Sequence, residues 1–325
     1  MNSSPGPGLE FSLVRGKSLL RAAYETPFAA PIRLAHLSGS RVREASRTQK
    51  ISQQNSFHLL TRHRLRELPG GRQSVCFILG AGASVNELTS RHFAQMSSEF
   101  SIGINSWVSH EFTPNVYSFE ADGLAEAQSP EIIAMSRALA KKAQRRPHIG
   151  LLLLRPKRAD LQHRMVDIPP IMRDRALMYG RYNLHSRSVS NLRQDLRSLL
   201  RAERRKPLRL PAVVDNGASV ARMLTLSALM GFKKTVLVGV DLNSNNYFWT
   251  DSPSSSTNKD LARNYPRGSG VIHKTLSTVD RPFSNLFFVA ELARALNEVF
   301  SLTTYVASRS SALAEDMPLY DWSGN

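Results

Sequence analysis

Val75-Cys76-Phe77-Ile78-Leu79-Gly80-Ala81-Gly82-Ala83-Ser84 runs from five apolar residues through a Gly-x-Gly turn to a Ser that has Glu87 three positions on. Five apolar residues ended by glycine read as a buried strand, and Ser84 with Glu87 fits a capping box, so the stretch predicts strand, tight turn, helix. The same alternation continues outward. Strands are predicted at Ser101–Ile104, Val116–Phe119, Ile149–Leu154, Thr235–Val240 and Leu302–Val306. Helices are predicted at about Ser84–Phe100, Ser129–Ala143, Ser190–Glu203, Ser219–Met230 and Pro282–Phe300, with Pro130 at a first helical position and Gly231 as a C-terminal cap. Strands alternating with helices predict an α/β fold: a Rossmann-like parallel sheet with helices on both faces. Residues 1–73 open with Pro-Gly-Pro-Gly and are rich in Ser and Arg. They read as a basic, partly ordered N-terminal extension with one or two short helices, Ser12–Tyr24 among them, ahead of one domain over 74–325. The Ser-rich run from Asp251 to Gly270 reads as a mobile loop, placing a small lid at about 248–272.

With 325 residues, 42% hydrophobic and 21% charged, the composition is that of a globular chain and excludes collagen-like and fully disordered classes. Cys76 is the single cysteine, which excludes an internal disulfide and a Cys-rich metal site; within its apolar run it reads as a small buried hydrophobe. No apolar run approaches the roughly 18–20 residues of a membrane-spanning helix. The formal charge is +17. It is uneven: residues 1–74 hold 12 basic and 4 acidic side chains, residues 135–210 hold 20 and 5, and the remainder is acidic. Two basic regions suit phosphates, anionic lipid headgroups or acidic glycans. Lipid or glycan ranks above nucleic acid, because few aromatics interleave the central block and no nucleic-acid-binding motif is present. Arg193, Arg197, Arg201 and Arg204, at three- and four-residue spacing, equally suit a solvated helix face.

The Gly80-Ala81-Gly82 turn predicts backbone amides and a helix N-terminus facing an anion. A dinucleotide cofactor is disfavoured, since the third glycine of that fingerprint is Val85 and the next strand ends in Asn105-Ser106 instead of an acidic residue. Asn216-Gly217-Ala218-Ser219 opens a helix, and the strand after it ends in Gly239-Val240-Asp241; strand ends of this kind converge on one crevice in a parallel sheet. Asp241 is therefore a site candidate or a local turn cap. Tyr247, Phe248 and Trp249 close over a ligand or anchor the lid. His273, beyond the loop, has the chemistry of a general base. Neither Gly-x-Ser-x-Gly nor His-Glu-x-x-His occurs, so hydrolase and zinc-protease classes have no motif.

In order and spacing these pieces resemble the bacterial sialyltransferases of glycosyltransferase family 42, through Gly80–Leu88, Ser101–Trp107, Ala218–Asp241 and His273–Leu313, across residues 74–322. The resemblance implies a GT-A-like single nucleotide-binding domain and an inverting, metal-independent transfer of sialic acid or a related sugar from a CMP-activated donor to a glycan hydroxyl. It places Gly80, Gly82 and Ser84 at the nucleotide phosphate, Asn105 on the donor and Ser219 at the donor carboxylate or phosphate. Gly239 and Asp241 would bound the cytidine pocket, Tyr247 would contact the leaving phosphate, and His273 would be the base. No cofactor is implied beyond the donor substrate. The acceptor would be a glycan or lipid-linked saccharide, which with the basic regions gives a cytoplasmic location, peripheral to the inner face of the membrane; a homo-oligomer is left open. The chain departs from the family pattern at Ala81, Asn216 and Asn243, and at Glu120-Ala121-Asp122-Gly123, whose acids would repel a donor carboxylate.

The opening turn also looks like the pterin-pyrophosphokinase-like proteins, which include flagellin-modifying glycosyltransferases. There Glu120 or Asp122 would hold a metal on a nucleotide polyphosphate. A non-catalytic nucleotide-binding protein and a basic nucleic-acid-binding protein are the readings from other classes.

Overall fold

Every residue of β2 (Val75–Leu79) is buried. Cys76 and Ile78 face one core while Val75, Phe77 and Leu79 face another, the two-residue period of a sheet covered on both sides. The computed structural model describes residues 30–68, 74–120, 130–146, 149–154, 174–243, 246–251, 259 and 282–323.

Among these, eight strands pair in parallel in the order β1-β6-β5-β4-β3-β2-β9-β10. They are β1 (His58–Leu59), β2, β3 (Phe100–Ile104), β4 (Val116–Glu120), β5 (Gly150–Leu154), β6 (Ala176–Tyr179), β9 (Lys234–Val238) and β10 (Thr303–Val306). A separate pair joins β7 (Tyr182–Asn183) to β8 (Val214–Asp215). All six predicted strands are present within two residues at each end, and β1, β6, β7 and β8 are additions.

One face carries α2 (Arg62–Glu67), α5 (Val189–Arg205), α6 (Ser219–Met230) and α8 (Asn285–Phe300). The other carries α3 (Ser90–Ser97), α4 (Pro130–Arg145) and an aromatic cluster of Trp107 with Phe248 and Trp249 from the short helix α7 (Phe248–Asp251). The central helix α6 is buried from Val220 to Leu229 and ends at Gly231, whose φ of 98° lies in the left-handed region that glycine tolerates. Ser188 caps α5, and Ser284 caps α8.

Two expectations are corrected. The helix expected over 84–100 is a 3₁₀ turn at Ala83–Glu87 followed by α3, because Ser84 bonds Asp241 and Glu87 accepts from Ser308 and Ser310, so neither caps a helix. Thr89 caps α3 instead, and its N–H donates to His92 Nδ1 at 3.1 Å. The boundary expected at residue 73 falls inside one packed unit. Residues Ala30–Gln54 form a 25-residue helix, α1. β1 extends the sheet beside β6, and Leu37, Leu60 and Leu65 are buried in the same core as α5 and α6. The helix expected at 12–24 lies outside the described residues. Among the described residues no helix is long and apolar enough to cross a membrane.

Several arginines expected on a solvated face cross-link helices. Arg193 and Arg197 make bidentate pairs with Glu291 and Glu298 of α8, and Arg204 donates to the Val299 carbonyl.

Candidate functional site

The chain after β2 continues to one side through β3 to β6, and β9 and β10 lie on the other. The carboxyl ends of β2 and β9 thus flank the point where the strand order reverses, the place where open α/β sheets form ligand crevices.

Two turns meet there. Gly80 N–H donates to Val238 O at 2.7 Å and Gly82 N–H to Gly239 O at 2.8 Å. Gly239 has φ 62°, and a Cβ on it would collide with the Gly80 carbonyl, so glycine is required on both counts. Asp241, 7% exposed, accepts from Ser84 N–H at 3.0 Å and from the Ser84 hydroxyl. Tyr247 bridges Gly82 in antiparallel fashion and lies flat on the buried Trp249, ring centres 4.6 Å apart. The structure therefore brings Gly80, Gly82, Ser84, Gly239, Asp241 and Tyr247 into one interlocked unit. This arrangement corrects the expectation that the turn's amides await an anion: those of Gly80, Gly82, Ala83 and Ser84 all donate to acceptors within the protein. The segment Ala307–Leu313 closes over the same unit, with Ala312 N–H on Asp241 O at 2.9 Å and Ser311 Oγ on Val240 O at 2.8 Å. Asn243 donates to Ser310 O at 2.7 Å.

A second cluster forms at the ends of β3 and β4. Asn105 follows β3 with φ 50°, a conformation rare for a residue other than glycine and one that Asn tolerates best. Its side chain lies 3.4 Å from Ser219 Oγ, at the first position of α6. Beneath Ser219 is Arg222, 2% exposed. Its Nη2 donates to Ser219 Oγ and to Glu120 Oε1, each at 2.7 Å, and Nη1 donates to Asp215 Oδ1 at 3.1 Å. Burial disfavours the charge of Arg222, but Tyr179, Asp215 and Glu120 around it more than compensate and raise its pKa above the ordinary guanidinium value. Asp215 Oδ1 also accepts from Gly217 N–H at 2.7 Å, fixing the left-handed turn that opens α6.

Arg222 and Asp215 were not among the residues expected from the sequence. Their signal was a lone Arg in the apolar run Val220–Met230, three residues after Ser219, and an Asp just before Asn216-Gly217. The Arg222 pair also changes the meaning of Glu120. Its carboxylate is matched by a buried cation, so it is neither a bare repelling charge nor a free metal ligand. Among the described residues no three His, Cys, Asp or Glu side chains group as a metal site. Asp122, His273 and most of the expected lid lie outside the described residues.

Chemically, Asn105 and Ser219 offer neutral donors and acceptors at the crevice, backed by one desolvated cation that acts through the Ser219 hydroxyl. Such a set suits a phosphate, carboxylate or hydroxyl.

No protein-family model and no curated protein matches the chain. Among solved structures, it is similar to the monofunctional alpha-2,3-sialyltransferase Cst-I from Campylobacter jejuni, with 14% identity and a TM-score of 0.45 over 78% of this chain and 83% of that one. It is also similar to the sialyltransferase CstII from Campylobacter jejuni in complex with cytidine-5'-monophosphate, with 14% identity and a TM-score of 0.42 over 78% of this chain and 87% of that one.

Proposed function

We propose that this chain is an inverting, metal-independent glycosyltransferase that moves a sialic-acid-type sugar from a CMP-activated donor to a hydroxyl of a glycan acceptor. The observation that carries the reading is the meeting of Asn105 and Ser219. They are 114 residues apart in sequence, sit in two motifs that the family resemblance assigns separately to the donor, and come to 3.4 Å at the carboxyl ends of the strands. The strained φ of Asn105 supports it, since such backbone is retained where the surroundings hold it for a purpose.

In this reaction His273 takes the proton from the acceptor hydroxyl, whose oxygen attacks the anomeric carbon from the face opposite CMP. The bond from that carbon to the phosphate oxygen breaks, and CMP leaves as an anion. Tyr247 contacts the leaving phosphate. Asn105 and Ser219 hold the donor, and Arg222 orients the Ser219 hydroxyl while contributing positive potential. Gly80, Gly82, Ser84, Gly239 and Asp241 form the wall of the cytidine pocket, and Asp122 is assigned to nucleotide-sugar binding.

The test is thermal stabilisation by CMP, CDP, UDP, GDP and ATP with and without Mg²⁺, followed by transfer assays with CMP-sugars. A CMP-selective, Mg²⁺-indifferent shift is expected. Ser219→Ala and Asn105→Ala should each weaken CMP about tenfold, the loss of one hydrogen bond of about 1.4 kcal/mol. His273→Ala should keep CMP binding and lose transfer by about 10²–10⁴. A shift confined to ATP with Mg²⁺, or transfer within a few-fold of wild type in His273→Ala, would overturn the reading.

A further inference from the structure

The amino ends of β9 and β10 lie away from the crevice, and there the last turns of α5 and α8 meet the start of β9. Arg204 donates to Val299 O and Lys233 Nζ to Phe300 O at 3.0 Å. Arg62 of α2 donates from Nη2 to Glu203 O at 3.2 Å and from its backbone N–H to Arg209 O at 3.1 Å. These bonds draw together six exposed cations: Arg66 on α2, Arg201 and Arg205 on α5, Lys206 and Arg209 just beyond it, and Lys234 on β9. We infer that this surface docks the chain on an anionic lipid bilayer; the inference concerns a face outside the crevice and stands whether or not the chain transfers sugar.

Three observations carry it. The first is a charge that the described residues leave unmatched. The acids nearby are committed elsewhere: Glu203 is buried between Arg41 and Arg62, Glu298 is held bidentately by Arg197, Glu67 pairs with His63, and Glu99 accepts from the Ser74 and Val75 amides. Arg201 feels Glu298 without bonding to it, and none of the six cations forms an ion pair with a described residue. Arg204 and Lys233 add to the sum, because their partners are neutral carbonyls. The second is that the fold makes no other use of these charges. Arg193 and Arg197 cross-link α5 to α8, and the negative end of the α5 dipole accounts for Arg204 and Arg205 in its last turn. Arg66, Lys206, Arg209 and Lys234 come from three other segments and lie outside that turn. The third is the apolar content. Leu208, beside Arg209, and Phe300, which bonds Lys233, are partly exposed among the cations. A bilayer surface takes both kinds of side chain, since headgroup phosphates meet the cations and the acyl boundary beneath meets the apolar groups. The backbone of a duplex takes only the cations.

The experiment is co-sedimentation of the full chain with vesicles of phosphatidylcholine alone and of phosphatidylcholine mixed with phosphatidylglycerol. Binding to the anionic vesicles should exceed binding to the neutral ones at least about tenfold and should fall as salt is raised. Arg205→Gln/Arg209→Gln should weaken it about fivefold for each charge removed, and Arg205→Glu/Arg209→Glu should weaken it further. Arg91→Gln/Arg145→Gln removes the same charge from exposed positions on α3 and α4, across the sheet, and should stay within about twofold of wild type. Equal binding to both kinds of vesicle overturns the inference, as does undiminished binding in an Arg205/Arg209 variant with a native circular dichroism spectrum. An equal loss in the Arg91/Arg145 variant assigns the attraction to net charge and overturns it too. Tighter binding to a short DNA duplex than to the anionic vesicles at the same salt makes the partner a nucleic acid and refutes the bilayer.

Discussion

Asp241 shows how one side chain serves as scaffold at the heart of a candidate site. Its carboxylate holds the Ser84 amide and hydroxyl, and a Cβ on Gly82 would fall inside contact distance of it, so turn and carboxylate fit only as a pair. Asp241→Ala leaves a buried N–H and hydroxyl without their acceptor and should cost about 2–3 kcal/mol in urea unfolding. Asp241→Asn, whose amide oxygen still accepts from Ser84 N–H, should cost about half as much. A loss under about 0.5 kcal/mol in Asp241→Ala would show that the turn holds itself. At this scale the glycines were legible, because a Gly-x-Gly after a strand and a Gly before the strand-end Asp mark backbone that must approach backbone. Arg222 was not legible. A charge inside an apolar helix reads as an interruption until its partners Glu120 and Asp215, from distant segments, are seen around it.

Among elements, α1 shows what hydropathy patterning cannot report. Its buried positions, Arg33, Leu37, Arg41, Thr48, Ile51 and Ser52, keep a helical spacing, yet most are polar. The period is present in burial and absent in hydrophobicity, because Arg33 pairs with Asp195, and Arg41 with Glu203, on α5. Ion pairs of unequal burial join α5 to α8. Glu291 is 3% exposed and Glu298 is 42% exposed. Arg197→Ala should therefore change stability by no more than about 0.5 kcal/mol, whereas Arg193→Ala, which strips a buried carboxylate of its bidentate partner, should cost about 1–2 kcal/mol. The hydrogen bonds from Arg193 hold Glu291 below the ordinary Glu range. A carboxylate with a lowered folded pKa stabilises above its unfolded value, about 4.3, and loses that contribution as pH falls through the folded one. Wild type and Arg193→Ala should differ fully at pH 7 and converge towards pH 3 in urea titrations. A gap independent of pH would assign the loss to packing alone.

For the molecule as a whole, the six strands β2, β3, β4, β5, β9 and β10 were legible because most of them are continuous apolar runs set between helical stretches. The edge formed by β6 and β1 was not. β6 is four residues flanked by Arg175 and Gly180, and β1 is two residues, His58-Leu59, whose pairing depends on a helix that hydropathy did not reveal. This sets the real boundary of the folded unit, and truncation tests it. A chain beginning at residue 74 loses Leu37, Leu60 and Leu65, each at most 4% exposed and each contributing about 1.5–3 kcal/mol by burial, together a sum comparable to the net stability of a typical domain. It also leaves Glu203, whose side chain is fully buried, without Arg41 and Arg62, and Asp195 without Arg33. Uncompensated buried carboxylates add to the loss. With β1 gone, β6 becomes an open edge that other chains can pair with. The truncated chain should aggregate on expression or, when soluble, bind a hydrophobic dye and melt without a cooperative transition. A sharp melt within about 5 °C of the full chain would instead establish residues 30–68 as an appendage on a sheet that stands without them.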